Sequence, residues 1–519
     1  MQRGKKMLMN TVLLTATSLF MRTVGMAFQV YLSKKIGETG IGLFQLIMSV
    51  SMLAATFSIS GVRFATTRLV AEELGLSRNG GVKTAVFRCL LYALTFGLAA
   101  FVALFFGADT IGRTWIGDGR TVLSLRLLAL SLPAFSLSAV LSGYFTAVSR
   151  VIKSAVVNVL EQFIRIGVVV VALTLSKGYT VETACAVIVI GGVVGEMASF
   201  FMLFVLYIFD RRRYRNDDQK VPAMTKRLIV IAFPLALSAY ARTALSTLEN
   251  LLVPRGFQKS GASSDKALAT YGMIQGMVFP IIAFPSAFFY SLAELIVPEL
   301  TDAQVRGRTR EISDKVSRIL NLCLLFSIGV TAVMFTYAGA LGQSIYQRDT
   351  VGTYIRLLSF LMPIIFLDSV TDGMLRGLGQ QMVTMRYNIL DSFISVLLVY
   401  FLLPKYGVYG YVFIIYFTDL FNFTLSIRRL ARVTKIRLPF GNAFIAVFCA
   451  AGSNVLSLFL LRAIGLPLRA QLSVLLLHMS LACVLYVLLL LLTRCIERRD
   501  LGRFLSLYHQ KRGHSARKT

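Results

Sequence analysis

Two arginines stand where a hydrocarbon-crossing helix would bury them. Stretch 13–33 reads as a membrane-spanning helix, yet Arg22 sits near its middle; stretch 227–253 carries Arg242 at the matching depth. Each is followed by threonine, in Met21-Arg22-Thr23 and Ala241-Arg242-Thr243. An uncompensated guanidinium at mid-bilayer costs at least ~2.5 kcal/mol, so it is rare without a use. For both, the nearest membrane face is about ten residues away, roughly 15 Å of helix, which makes snorkelling difficult. Arg63 lies nearer a span end, where snorkelling or an acidic partner explains it equally well. A planar guanidinium donates two hydrogen bonds at once to phosphate. Arg22, Arg63 and Arg242 around a water-filled cavity would therefore suit an anionic, phosphate-bearing cargo.

Intramembrane acids could neutralise these arginines when the cavity is empty. Glu161 and Arg165 are four apart and share a helix face, for which a local ion pair is the simpler account. Glu196 follows Gly191, Gly192 and Gly195, and Glu249 comes seven residues after Arg242 on nearly the same face. Asp368, Asp372 and Arg376 repeat at four-residue spacing, with Arg376 assigned to the cytoplasmic boundary, and Arg126 reads as snorkelling at an outer helix end. There is no Walker loop and no nucleophile–base arrangement, so neither an enzyme nor ATP-driven transport is indicated. The six cysteines form no CxxC pair and the three histidines are dispersed, so no disulfide framework, metal site or cofactor is expected.

The elements that must position these residues are apolar helices. Of 519 residues, 56% are hydrophobic and 15% charged, and the mean hydropathy is +0.71. Apolar runs of about 20 residues recur along the chain, which predicts an all-α polytopic membrane protein. An outer-membrane barrel would alternate apolar and polar residues, and that pattern is absent. About fourteen spans are expected, near 8–33, 41–70, 83–107, 121–148, 154–176, 180–209, 226–253, 267–297, 315–339, 353–378, 383–403, 407–428, 440–463 and 469–493.

The net charge of +29 follows the loops. With a cytoplasmic N-terminus, roughly 35 cations fall inside against roughly a dozen outside, as the positive-inside rule requires. Both termini are then cytoplasmic in the cell membrane. No nucleic-acid-reading motif accompanies the charge. The basic connection at 211–225 separates an N-terminal lobe, 1–210, from a C-terminal lobe, 226–437. Spans at 438–494 and a basic tail, 495–519, which can rest on anionic lipid headgroups, complete the chain.

An internal repeat supports the two lobes. Asn158-Val159-Leu160-Glu161 matches Asn388-Ile389-Leu390-Asp391, and Val140, Gly143, Phe163 and Ile164 match Val370, Gly373, Phe393 and Ile394, all at an offset of 230. Six spans per lobe give both lobes the same orientation, related by an axis along the membrane normal. Pro133, Pro234 and Pro363 break spans four, seven and ten, while Gly272, Gly276, Pro280 and Pro285 interrupt span eight.

With these residues in hand, the chain resembles the multidrug/oligosaccharidyl-lipid/polysaccharide flippase superfamily over essentially its whole length. It is most similar to the stage V sporulation protein B group of spore-forming bacteria, related to the lipid II flippases. The resemblance rests on Gly37 with Gly40-Ile41-Gly42-Leu43, Leu69-Val70-Ala71-Glu72, Ser142-Gly143-Tyr144-Phe145, Gly195-Glu196 and, most specifically, Val159-Leu160-Glu161-Gln162-Phe163-Ile164-Arg165-Ile166. It implies two pseudo-symmetric six-helix lobes around a central cavity plus two C-terminal helices that form a groove for a lipid tail. It also implies a cationic cavity built by arginines of spans one, two and seven, which here are Arg22, Arg63 and Arg242. The expected cargo is an undecaprenyl-pyrophosphate-linked oligosaccharide or peptidoglycan precursor for spore cortex or cell-wall synthesis, moved by alternating access. The alternatives are a cation-coupled multidrug exporter, which would want an acidic cavity, and a non-transporting membrane scaffold.

Overall fold

The computed structural model describes residues 2–76, 78–175, 178, 180–212, 223–286, 289, 297, 299–436, 440–465 and 471–495. Most of the expected linker (213–222) and the tail from 496 lie outside them. Every regular element among the described residues is helical. The first half runs α1 (Gln2–Ile59), α2 (Val62–Gly75), α3 (Asn79–Thr110), α4 (Val122–Ala129), α5 (Leu132–Ala147), α6 (Val151–Leu175) and α7 (Val181–Arg211). Then come α8 (Met224–Lys259), α9 (Ser264–Gly272), α10 (Phe279–Ala283), α11 (Thr309–Leu341), α12 (Asp349–Leu358) and α13 (Met362–Gly377). The chain continues with α14 (Gln381–Thr434), α15 (Ala443–Ala463) and α16 (Leu472–Leu492).

Among the described residues, eleven helices are long and apolar enough to cross a membrane, or twelve if α4 with α5, bent by 45°, is one span. Two of these helices, Phe20–Gly75 and Gln381–Thr434, each cover two of the expected spans, so helices are fewer than spans. α1 and α14 continue through single non-helical glycines, Gly37 (φ 71°, ψ −178°) and Gly407 (φ 53°, ψ −131°). Without a Cβ these residues turn the chain with no intervening loop, so neighbouring segments fuse into one helix.

Contacts divide the chain into two compact units: 35–276 with 388–411, and 1–34 with 277–387 and 412–519. Within the first of these units α8 packs on α2 and α3. In the 35–276 unit α5 is central and buried along almost all its length. Apolar burial does not drive helix association in lipid, where small residues and interhelical hydrogen bonds serve instead. α5 supplies both. Ser136 donates to the Ala93 carbonyl at 2.9 Å, Ser142 and Ser154 share a hydrogen bond of 2.9 Å, and a Cβ on Gly143 would lie 2.6 Å from the Arg63 carbonyl oxygen. α7 lies on α6 through Gly191 and Gly195, where a Cβ would come within 3.0 Å of the Arg165 carbonyl oxygen and 3.2 Å of Arg165 Cβ.

The repeat has a backbone counterpart. α3 ends in a π-turn at Ile111–Ile116, and Gly117 (φ 83°) then reverses the chain into α4 and α5. α11 likewise ends in a π-turn at Gly342–Tyr346, with Gln347 (φ 57°) leading into α12 and α13. Both segments close on a left-handed residue, Ser149 (φ 57°) and Gly379 (φ 69°). Pro133 and Pro363 occupy the first turns of α5 and α13. Spans four and ten are thus broken just before these prolines, which start the second helix of each at a position that has no hydrogen bond to lose. Pro234 does lie inside a helix, α8, as does Pro254. Span eight is irregular where its glycines and prolines predict, passing from α9 through a π-turn to α10 and a 3-10 turn.

In the other unit α15 and α16 pack on α11. Tyr486 donates to the Leu325 carbonyl at 2.7 Å, and Ser457 accepts from Tyr337 at 3.4 Å while donating to the His478 carbonyl at 2.9 Å. Phe444, Phe448 and Phe459 remain strongly exposed on α15, as a lipid-facing surface would be.

Candidate functional site

Arg242 is placed by the two flanks of α8. Its buried stripe, through Leu228, Ala232, Ala236, Thr247 and Leu251, faces the protein. One flank carries exposed Phe233, Leu237 and Leu248. The other carries Ser238, Arg242, Ser246 and Glu249, spaced by three or four residues and therefore on one line. Arg242 thus stands on the polar flank, away from the apolar one. Arg63 is exposed on α2, three residues past Ser60. Among the described residues, neither Arg63 nor Arg242 makes a side-chain hydrogen bond or ion pair. Both belong to the 35–276 unit, whereas Arg22, also exposed, belongs to the other.

Beside the two arginines runs a polar seam between α1–α2 and α8. Thr247 donates to the Ser49 carbonyl at 3.0 Å, the Thr56 and Thr243 hydroxyls lie 3.4 Å apart, and Tyr240 donates to the Ser60 hydroxyl at 2.7 Å. The pairing is antiparallel, with Arg63 just past one end of these contacts and Arg242 among them. Ser60 (φ 45°) and Gly61 (φ 71°) break α1 from α2. The break brings the two backbones together: a Cβ on Gly61 would lie 2.5 Å from the Ala232 carbonyl oxygen. Tyr92 braces the same turn, 2.9 Å from the Ser60 hydroxyl.

Both ends of the seam are clamped by charge. At one end Arg227 reaches Glu72 and Glu73, each at 2.7 Å. Glu73 is fully buried and Glu72 partly exposed. At the other end Arg120 binds Asp118 at 2.6 Å and Asp265 at 3.3 Å, and Arg255 donates to the Trp115 carbonyl at 2.7 Å. Arg227→Gln leaves the buried Glu73 without its cation, at a cost of about 3 kcal/mol. It is expected to lower the thermal midpoint. Arg227→Lys keeps the charge but reaches only one of the two carboxylates well, so it should recover part of the loss in the same unfolding measurement.

Two of the expected acidic partners, Glu161 and Glu249, have local roles. Glu161 and Arg165 form the i,i+4 pair at 3.4 Å, with Gly195 of α7 packed against both. Glu196 lies next along α7 from Gly195. Glu249 accepts from Ser395 of α14 at 2.6 Å. Ser395→Ala removes this donor and should cost about 1–2 kcal/mol in thermal unfolding. Asp368 accepts from Asn422 at 3.2 Å and Asp372 from Ser426 at 3.3 Å, which ties α13 to α14. Arg126 pairs with Asp109.

Residues 7–303 match the family described as polysaccharide biosynthesis protein. The chain belongs to that family. Residues 260–401 also match the MatE family. The chain is similar to stage V sporulation protein B of Bacillus subtilis (strain 168), 23% identical over 410 residues, covering 78% of this chain and 79% of the relative. It is similar to lipid II flippase MurJ of the same organism, 23% identical over 420 residues, with 73% and 74% covered. A solved structure of lipid II flippase MurJ in an inward closed conformation shares its fold, with a TM-score of 0.70 at 13% identity, over 92% of this chain and 98% of that one. The protein is a multi-pass membrane member of the multidrug/oligosaccharidyl-lipid/polysaccharide flippase superfamily, not an enzyme.

Sequence reasoning singled out the arginines but missed the seam. Thr56, Ser60, Tyr240 and Thr243 are ordinary polar residues in apolar helices, and only the fold reveals that they meet. A signal did exist for the clamp: Glu72-Glu73 close one span and Arg227 opens another.

Proposed function

We propose that this protein is a flippase that carries an anionic, undecaprenyl-pyrophosphate-linked oligosaccharide or peptidoglycan precursor from the inner to the outer leaflet of the cytoplasmic membrane. The observation that carries this reading is the unpaired state, among the described residues, of the exposed guanidinium groups of Arg63 and Arg242 within the candidate membrane spans Phe20–Gly75 and Met224–Lys259. Charge left without a partner within the membrane is costly, and a pyrophosphate is the partner a planar fork fits. Arg22, the third arginine read from the sequence, is not one of the unpaired groups and is proposed to join them at the cargo. The relatives' names, a lipid II flippase and a polysaccharide biosynthesis family, point to the same cargo class.

Mechanistically, the arginines grip the pyrophosphate while the lipid tail stays in the bilayer, and two lobes rock about the cargo. The Arg227–Glu72–Glu73 clamp breaks and re-forms as the access path changes sides. Export of each negative charge down a ~100 mV inside-negative potential releases about 2.3 kcal/mol, and a coupled ion gradient supplies energy equally well. Both termini face the cytoplasm in this scheme. The MatE match favours a cation-coupled exporter as the second reading. Such a site needs uncompensated acids, whereas Glu161 and Glu249 are already partnered.

The test is delivery of precursor. Proteoliposomes loaded with a lipid-linked pyrophosphate sugar are expected to expose it on the far leaflet only when the protein is present. Equal exposure with and without protein rejects the flippase; export of a cationic dye instead supports the exporter.

A further inference from the structure

A second charged site lies in the 35–276 unit, away from the seam. A groove of about 570 Å³ opens between α3 and α7, lined by Lys83, Phe87, Leu90, Phe204, Arg211 and Arg212 with Tyr207. Both helices pack against α5. Tyr207 meets the α5 residue Tyr144 edge-on, ring centroids 5.0 Å apart. The neighbouring acid, Asp210, is engaged elsewhere: it is almost wholly buried, accepts from Tyr144 at 2.8 Å and from Lys153 at 3.2 Å, and pairs with Arg150. It therefore does not neutralise Arg211 and Arg212, which follow it in the chain and stand exposed at the rim.

The groove is graded in depth. Lys83 lies in the second turn of α3, and Arg211 and Arg212 lie at the end of α7. Leu90 and Phe204 are each seven residues from Lys83 and Arg211 towards the helix middle, about 10 Å deeper at 1.5 Å per residue. Arg212 stacks over the ring of Phe209 at 5.7 Å, which holds its guanidinium at the rim. Phe87 remains 64% exposed. Positive charge at headgroup level above an aromatic and aliphatic wall at acyl-chain level is complementary to one kind of molecule. A soluble anion would satisfy the rim and leave the wall uncovered; a neutral lipid would do the reverse.

We propose that this groove is a binding site for an anionic phospholipid, whose phosphate is held by Lys83, Arg211 and Arg212 and whose chains lie along Phe87, Leu90 and Phe204. The site is separate from the arginines proposed to grip the cargo. It can stand or fall without affecting the flippase reading.

Native mass spectrometry of the whole protein in neutral detergent, titrated with phosphatidylglycerol or with phosphatidylcholine of the same chains, tests it. The wild-type protein should retain phosphatidylglycerol in clear preference, a comparison that needs no variant. Each of Lys83→Gln, Arg211→Gln and Arg212→Gln should weaken retention about fivefold, and all three together about a hundredfold. Leu90→Trp, which fills the wall, should also weaken it, while Arg113→Gln at the far end of the same span should not. Equal retention of the two lipids, an unaffected triple variant, or displacement by millimolar glycerol 1-phosphate would each overturn the proposal, the last by making this a soluble-phosphate site.

Discussion

Arg242→Ala is expected to reduce delivery of lipid-linked precursor to the outer leaflet by roughly 10- to 150-fold, the equivalent of a lost charge-assisted contact of about 1.5–3 kcal/mol. The protein itself should fold, because Arg242 is exposed and, among the described residues, holds no partner that its loss would strand. Stability unchanged with transport lost is the signature of a group that waits for its cargo. Arg242→Lys keeps the charge but not the fork that grips two oxygens, so it should fall between wild type and alanine. Arg63→Ala should behave alike, and the double variant should lose more than either. A non-transporting scaffold would tolerate all of these changes. Full transport by Arg242→Ala would remove this arginine from the mechanism.

Asp210→Ala should do the opposite and cost stability rather than a step in transport. The carboxylate is almost wholly buried and ties the ends of α5 and α6 to the end of α7 through Tyr144, Arg150 and Lys153. Removing one partner of a buried ion pair leaves the rest uncompensated and costs about 3–5 kcal/mol. Arg150 and Lys153 keep about a third of their side chains in contact with solvent, so the lower end of that range is expected. Asp210→Asn still accepts from Tyr144 and should recover part of the loss. Thermal unfolding and the yield of folded protein measure both. A midpoint unchanged by Asp210→Ala would mean that the cluster does not hold these helix ends together.

Helix content was legible in the sequence because backbone groups in lipid leave the chain little else to form. The offset of 230 was legible too, since Asn, Gly and acid recur together, and it now coincides with two π-turns and two left-handed helix ends. Span counts and helix counts differ. A hydropathy profile registers apolar length, and it does not register that Gly37 and Gly407 bend a helix without ending it. The prolines located two interruptions: Pro133 and Pro363 each begin the second helix of a broken span. The contacts of α8 with α2 and α3 join residues far apart in the chain, so a hydropathy profile does not show them. At the site, charge was conspicuous and partnership was not. Arg22, Arg63 and Arg242 stood out from their apolar surroundings, whereas Glu249 was expected near arginine and is bonded to Ser395.

Everything in the transport scheme requires that the α8 arginine face water rather than lipid. The direct measurement is thiol accessibility of Arg242→Cys in membranes, with Cys483, the exposed native cysteine, replaced by serine. A charged, membrane-impermeant thiol reagent should label position 242, and a lipid-linked pyrophosphate sugar should protect it. Labelling of position 242 only by a lipid-soluble maleimide, with no protection by the precursor, would contradict the account.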